Sequence, residues 1–200
     1  MSEAPTDRLQ HQIAFLLEAD KLKTIIRRTP LTDSSRLENS AEHSWHLAVA
    51  AIALHEYAPD GTDLGRVLEL IAVHDLVEID AGDTFAYDPE AYATKAEREL
   101  AAAERVFGVL PADQGNRLRA LWDEFETQET KESRFANALD RFQALLQNMG
   151  AGGGSWIAHG VTRTQVLARM APVQAAAPRL WPFVLATIET FCASGAIAGL

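Results

Sequence analysis

The sequence predicts an all-α fold. Three observations carry that expectation. Apolar residues recur with the 3.6-residue period along most of the chain, period-two alternation is nowhere sustained for the length of a strand, and the periodic segments are separated by start and stop signals. Leu9, Ile13, Leu16, Leu17, Ile25 and Ile26 lay an apolar stripe along a first helix, roughly Asp7 to Arg27. Pro30 and the polar run "TDSSRLEN" end it and form a loop. Asn39 followed by Glu42 is a capping-box pattern, which starts a second helix at Ser40. That helix runs to Tyr57, where "APDGTD" breaks it, and a third covers Leu64 to Ile79 before "DAGD". Beyond a loop through Asp88 and Pro89, a fourth helix spans Glu90 to Phe107, and a fifth follows Pro111 and reaches Phe125. A sixth, Lys131 to Met149, contains "FANALDRFQALLQNM". "GAGGGS", residues 150–155, reads as a mobile loop; it lacks the preceding strand and following Lys-Ser/Thr of a phosphate-binding loop. Helices from Val161 and from Arg179 complete the chain, without an internal repeat.

A chain of 200 residues that is 48% hydrophobic can bury one sizeable core, so a single domain over residues 1–200 is expected. The net charge of −10 and pI near 5.0 exclude a general binder of nucleic acid or anionic membrane, both of which need a positive field. Any phosphate taken by such a chain needs positive charge gathered locally, from side chains or a metal. Cys192 is the only cysteine, so there is neither a disulfide framework nor a thiolate zinc site. "MSEAPTDRLQ" has neither the basic nor the apolar stretch of a secretory signal. The apolar run "WPFVLATIETFCASGAIAGL" contains Pro182 and Glu189 and reads as a buried terminal helix rather than a membrane span. The expectation is a cytoplasmic protein with no nucleic-acid and no membrane partner. Trp45, Trp122, Trp156 and Trp181 are scattered, as core or interface anchors would be, rather than gathered into a base-stacking platform.

Chemistry concentrates in four residues. His43 starts the second helix, His74 and Asp75 sit near the end of the third, and Asp140 lies inside the sixth, each in an otherwise apolar segment. Buried ionisable groups are costly unless paired or coordinated, and one divalent cation held by two imidazoles and two carboxylates satisfies all four. Mixed nitrogen and oxygen donors suit Mn, Fe, Co, Ni or Zn better than calcium. Glu78, four residues after His74, falls on the same helical face one turn further on, and Asp83 follows in the "AGD" turn. Carboxylates beside such a cation are the arrangement for metal-assisted hydrolysis, in which they handle protons. Plainer readings stand beside these. His43 can be a satisfied histidine near a helix start. Glu78 can be a helix-end residue, although a carboxylate there opposes the helix dipole. Asp83 can simply form its turn. His46 could pair with His43 as H-x-x-H but would need a second metal geometry. His11, His55 and His159 have no ligand spacing.

"EHS" at 42–44, "HDLVEIDAGD" at 74–83 and Asp140 in "NALDRF" together resemble the H…HD…D signature of the HD-domain metal-dependent phosphohydrolases. More narrowly, they resemble the branch of bacterial 5′-deoxynucleotidases and their eukaryotic HD-domain relatives. The resemblance covers about residues 9–150, leaving the helices of 161–194 to pack on that core. It implies an HD-domain helical bundle around one divalent metal (Co, Mn, Mg, Fe, Ni or Zn) held by His43, His74, Asp75 and Asp140. It also implies hydrolysis of deoxyribonucleoside 5′-monophosphates, a small nucleotide substrate, with Glu78 and Asp83 assisting, and a homodimer. In that branch a basic residue at the end of the first helix contacts the phosphate. The match here is "IIRRTP", so Arg27, with Arg28 as the alternative. Relatives carry an aromatic residue just after that arginine, where this chain has Arg28. Both arginines also read as cations stabilising a helix C-terminus, and Lys95 either faces the site or pairs with Glu99 at i+4. The same metal set serves hydrolases of nucleoside triphosphates, guanosine tetraphosphate or cyclic dinucleotides, whose additional basic motifs are not visible here. A regulatory protein that keeps a metal for folding is the reading of a different class.

Overall fold

Side-chain caps decide where the helices of the computed structural model begin. Asn39 with Glu42, Thr130 with Ser133 and Thr162 with Gln165 each form a reciprocal capping box, and Asp63 and Asp88 accept from the first backbone N–H groups of the helices they precede. The structure describes residues 5–199; residues 1–4 of the segment read for a secretory signal lie outside the described residues. The elements are α1 (Pro5–Asp20), β1 (Ile26–Pro30), β2 (Leu37–Asn39), α2 (Ser40–Ala53), α3 (Leu64–His74), α4 (Glu78–Ala81) and α5 (Pro89–Ala93). They continue with α6 (Lys95–Phe107), α7 (Ala112–Thr127), α8 (Lys131–Gly150), α9 (Gly154–Ala158), α10 (Arg163–Ala176) and α11 (Trp181–Ala193). Helices dominate, as the periodicity requires.

The bundle is built around α8, which packs against α2, α3, α7 and α10. Its Phe135, Ala138, Leu139 and Leu145 are buried among Leu47 of α2, Leu70 and Ile71 of α3 and Val166 of α10. Each such aliphatic or aromatic side chain contributes about 1.5–3 kcal/mol on burial. Buried apolar side chains from Phe15 to Ile197 join one cluster, to which α11 adds Val184 and Ile188, so residues 181–193 of the apolar C-terminal run form a helix packed into the core. Among the described residues no helix is long and apolar enough to cross a membrane. Trp122 and Trp156 are core residues, whereas Trp45 is 69% exposed.

Four local expectations are corrected. The first helix stops at Asp20, a 3₁₀ turn follows, and the segment read as helix end and loop is an antiparallel hairpin of β1 and β2. Its strands are too short and too polar to show alternation, and its tip is a turn in which Asp33 Oδ1 accepts from Ser35. The strand pleat turns Arg27 and Thr29 inward and Ile26 and Arg28 outward. Neither arginine therefore caps a helix. The third helix ends at His74 rather than Ile79, and α4 restarts at Glu78. The fourth is divided at Thr94 into α5 and α6. "GAGGGS" is a fixed reversal: Gly153 donates to Asn148 O at 2.8 Å, and Asn148 Oδ1 accepts from the Ser155 backbone at 2.7 Å and its hydroxyl at 2.8 Å. Gly152, Gly153 and Gly154 hold φ of 66°, 111° and 34°, values that side-chain-bearing residues seldom adopt in succession.

The loop between α4 and α6 is held by Arg98 of α6, which donates to Thr84 Oγ1 at 3.0 Å, to Ala91 O at 3.2 Å and to Ala81 O. Arg98→Ala is expected to lower stability to urea by about 1–3 kcal/mol and to speed hydrogen exchange across residues 82–94. Unchanged exchange there would show that the loop is held by other contacts.

Candidate metal centre

The end of α3, the start of α2 and the middle of α8 meet where their polar side chains converge. His43 is fully buried, and His74, Asp75 and Asp140 are 5%, 8% and 9% exposed. One donor atom from each of His43, His74 and Asp75 lies within 4.8 Å of the others. His43 Nε2 stands 3.0 Å from Asp140 Oδ1, and His74 Nε2 stands 3.0 Å from Asp75 Oδ1. All four candidate ligands are thus brought together.

The imidazole tautomers follow from the outer hydrogen bonds. His74 Nδ1 donates to the Ile71 carbonyl at 2.7 Å, leaving Nε2 with its lone pair toward the cluster. His43 Nδ1 donates to Gln143 Oε1 at 3.0 Å. The amide orientation of Gln143 is itself fixed, because its Nε2 donates to Glu38 Oε1 and to His46 Nδ1, both at 3.1 Å. His43 Nε2 and His74 Nε2 are buried without a hydrogen-bond partner. Two buried imidazole lone pairs, each about 3 Å from a carboxylate oxygen it does not hydrogen-bond, match adjacent donors around one ion, since ligand atoms at roughly 2.1 Å from a metal lie about 3 Å apart. The donor set fits a divalent cation, and the His43–Gln143 bond is the outer-sphere support such a ligand needs.

The electrostatics press the same way. Burial and Arg27 oppose a charge on His43, yet the Asp140 and Glu38 carboxylates outweigh them and hold its pKa up at about 9. Those carboxylates favour a cation at Nε2, where a proton and a metal compete for one lone pair. Burial also works against the Asp140 carboxylate, but His43 and the nearby Arg141 and Arg169 keep it well below the usual range.

Arg27, on the inward face of β1, enters this ring of carboxylates. Its Nη1 lies 3.2 Å from Asp75 Oδ2 and 3.6 Å from Asp83 Oδ1, and its Nη2 lies 4.0 Å from Asp140 Oδ1. Arg28 points outward and its side chain makes no hydrogen bond or ion pair among the described residues; it borders a neighbouring cavity lined by Asp83, Phe85 and Tyr87. Glu78 is 7% exposed, its Oε2 accepting from Ser40 Oγ at 2.6 Å, and burial together with Asp75 pushes its carboxyl well above the ordinary value. Burial and Asp75 likewise raise the Asp83 carboxyl, against Arg27. Although α3 ends before Glu78, His74, Asp75, Glu78, Asp83 and Asp140 line one cleft of about 230 Å³. Lys95 satisfies both of its readings, since it lines that cleft and pairs with Glu99 at 2.6 Å. His46 supports Gln143 instead of facing the cleft. His55 bonds the Thr62 carbonyl at 3.0 Å and His159 packs on Phe85 with ring centroids 4.4 Å apart.

Sequence reasoning missed Glu38, Ser40, Gln143, Arg141 and Arg169. Gln143 carried a signal, three residues after Asp140 on the same face of α8. Arg169 carried none, because its helix is only weakly amphipathic and lies beyond the recognised signature.

The profile of the HD domain family matches residues 19–181. The human 5′-deoxynucleotidase HDDC2 is 30% identical over 142 residues, covering 68% of each chain. A 5′-deoxynucleotidase of Yersinia pestis (strain Pestoides F) is 27% identical over 153 residues, covering 72% of this chain and 77% of its own. The crystal structure of a predicted metal-dependent phosphohydrolase from Magnetospirillum magnetotacticum MS-1 superposes with a TM-score of 0.93 at 49% identity, covering 99% of this chain and all of that one.

If Gln143 sets the His43 tautomer, Gln143→Met will lower metal affinity about 10–100-fold in a chelator-competition titration. An unchanged affinity would mean that the ring is oriented by something else.

Proposed function

The chain belongs to the HD-domain family, and on that premise we propose that it hydrolyses deoxyribonucleoside 5′-monophosphates to nucleoside and phosphate at a single divalent metal. The observation that carries the reading is the convergence of His43, His74 and Asp75 donors within 4.8 Å, with Asp140 Oδ1 at 3.0 Å from His43 Nε2. His43, His74, Asp75 and Asp140 would hold the metal, which supplies Lewis acidity and a water made acidic enough to attack near neutral pH. Relatives named as 5′-deoxynucleotidases supply the substrate class.

The chain's own residues have separate tasks. Arg27 places a permanent positive charge against the phosphoryl oxygens. Glu78 accepts the proton of the attacking water at Oε1, since its Oε2 is taken by Ser40. Its affinity for a proton, raised by burial and by Asp75, makes it a stronger base than an ordinary carboxylate. Asp83, also raised and 3.6 Å from Arg27, can return a proton to the leaving 5′-oxygen. Arg28 and Lys95 stand at the margins as further contacts for the substrate.

The proposal takes residues 1–200 as one HD domain, in the cytoplasm where nucleotide pools are, working as a homodimer. The exposed apolar stripe of Trp45, Val49 and Ile52 along α2 supports the dimer. Trp45→Glu should then sediment as a monomer.

The test of function is phosphate release from a panel of ribo- and deoxyribonucleoside 5′-monophosphates by metal-stripped protein and by protein reloaded with Co, Mn, Mg, Fe, Ni or Zn. Release confined to deoxyribonucleotides and restored by metal is expected. Glu78→Gln should keep its metal and lose about 100- to 10,000-fold in kcat. Retained activity in that variant, or silence of the wild-type protein with every metal, would overturn the reading.

A further inference from the structure

We propose that Arg141 of α8 and Arg169 of α10 form a two-guanidinium grip for the oxygens of a phosphate monoester dianion beside the candidate metal centre. The inference rests on the phosphohydrolase reading above and names residues that neither the sequence signature nor the resemblance assigns.

The two oxygens of Asp140 divide the cleft. Oδ1 faces His43 Nε2 at 3.0 Å, toward the candidate metal. Oδ2 faces the other way, 3.1 Å from Arg141 Nη1 and 3.7 Å from Arg169 Nη2. Two arginines therefore share one carboxylate oxygen whose partner oxygen is committed elsewhere. Their side chains are only 14% and 24% exposed, so solvent does not make up the difference.

Arg27 is in the opposite condition. Asp75, Asp83 and Asp140 all lie within 4.0 Å of its guanidinium, and Glu38 lies 3.7 Å from its Nε. Its positive charge is already answered several times over, so it cannot by itself supply the field that a dianion requires. The Arg169 side chain makes no hydrogen bond among the described residues beyond its 3.7 Å approach to Asp140, which leaves a planar fork of N–H donors turned toward the cleft. That geometry matches phosphate oxygens in a bidentate contact. Arg169 also stands at a junction: it lines the cleft, and it borders the open groove formed with Tyr87, Tyr92 and Gln165. A phosphate held at that junction has the metal ligands on one side and room for its ester group on the other.

The probe is inorganic phosphate, the reaction's own product, titrated calorimetrically into metal-loaded full-length protein with metal content measured on the same samples. Arg169→Met, which keeps an apolar stem, is expected to weaken phosphate binding about 10- to 100-fold with metal content unchanged. Arg141→Met should do the same, and Arg169→Lys should restore part of the loss. In turnover the KM for a 5′-monophosphate should rise more than kcat falls. Phosphate affinity within twofold of wild type in the Met variants, at full metal content, would overturn the grip, as would a wild-type protein that binds no phosphate. Arg141→Met carries the test alone if Arg169→Met does not fold. If the variants weaken phosphate binding while no 5′-monophosphate is hydrolysed, the grip stands and the substrate reading falls. Hydrolysis with unchanged phosphate binding has the reverse meaning.

Discussion

Asp75, Glu78, Asp83 and Asp140 come from two stretches of the chain and meet around one buried guanidinium, that of Arg27. Carboxylates gathered in a low-dielectric space repel one another, and leaving one of them without a partner costs about 3–5 kcal/mol. A single arginine does not neutralise the group. Glu78 and Asp83 relieve part of the repulsion by holding protons more readily than ordinary carboxyls do. The remainder is a standing demand for a cation at the spot where the two imidazole lone pairs are aimed. A metal bound there would for this reason couple to folding, since the arrangement that is hardest to fold bare is the one that binds an ion best.

The surrounding elements can be read as supports for that arrangement. The long buried helix α8 supplies Asp140 and, one turn on, Gln143, so a candidate ligand and the group that orients its neighbour His43 share a rigid frame. The hairpin supplies Arg27 from β1 and Glu38 from β2. Glu38 is 1% exposed and joins the two halves of the support: its Oε1 accepts from Gln143 and from Gln147, at 2.5 Å for the latter. The abrupt end of α3 at His74 frees Asp75 and Glu78 from strict helical spacing and lets both reach the cleft. Arg98 then fixes the loop that carries Asp83. Support is distributed over hydrogen bonds to backbone and amide groups, with the buried Glu38 carboxylate tying the amides together.

Much of this was legible beforehand. The helix starts were written in local chemistry, as the capping box of Asn39 and Glu42 shows, because a cap involves only residues three apart. The candidate ligands were legible because ionisable side chains in apolar segments require an explanation wherever they stand. The hairpin was not legible: its strands have five and three residues, and what stabilises them is Arg36 bonding Glu42 and the packing of β1 on α8 and α9, contacts that no local pattern encodes. Misreading it as a helix end gave Arg27 and Arg28 the same surroundings, whereas the pleat of a strand sends them to opposite sides.

The sequence by itself determined the helical class, most helix starts, the apolar faces that join the core, and which imidazoles and carboxylates must be satisfied together. These are properties of spacing and residue type, and they act over a turn or two of helix. Tertiary structure alone decided which nitrogen of each histidine faces inward, which of two adjacent arginines enters the carboxylate ring, and that Arg169, from a helix beyond the recognised signature, borders the same cleft. Those outcomes depend on hydrogen bonds and charges brought together from residues up to about a hundred positions apart, and electrostatic interaction follows distance in space, which the chain's order does not record.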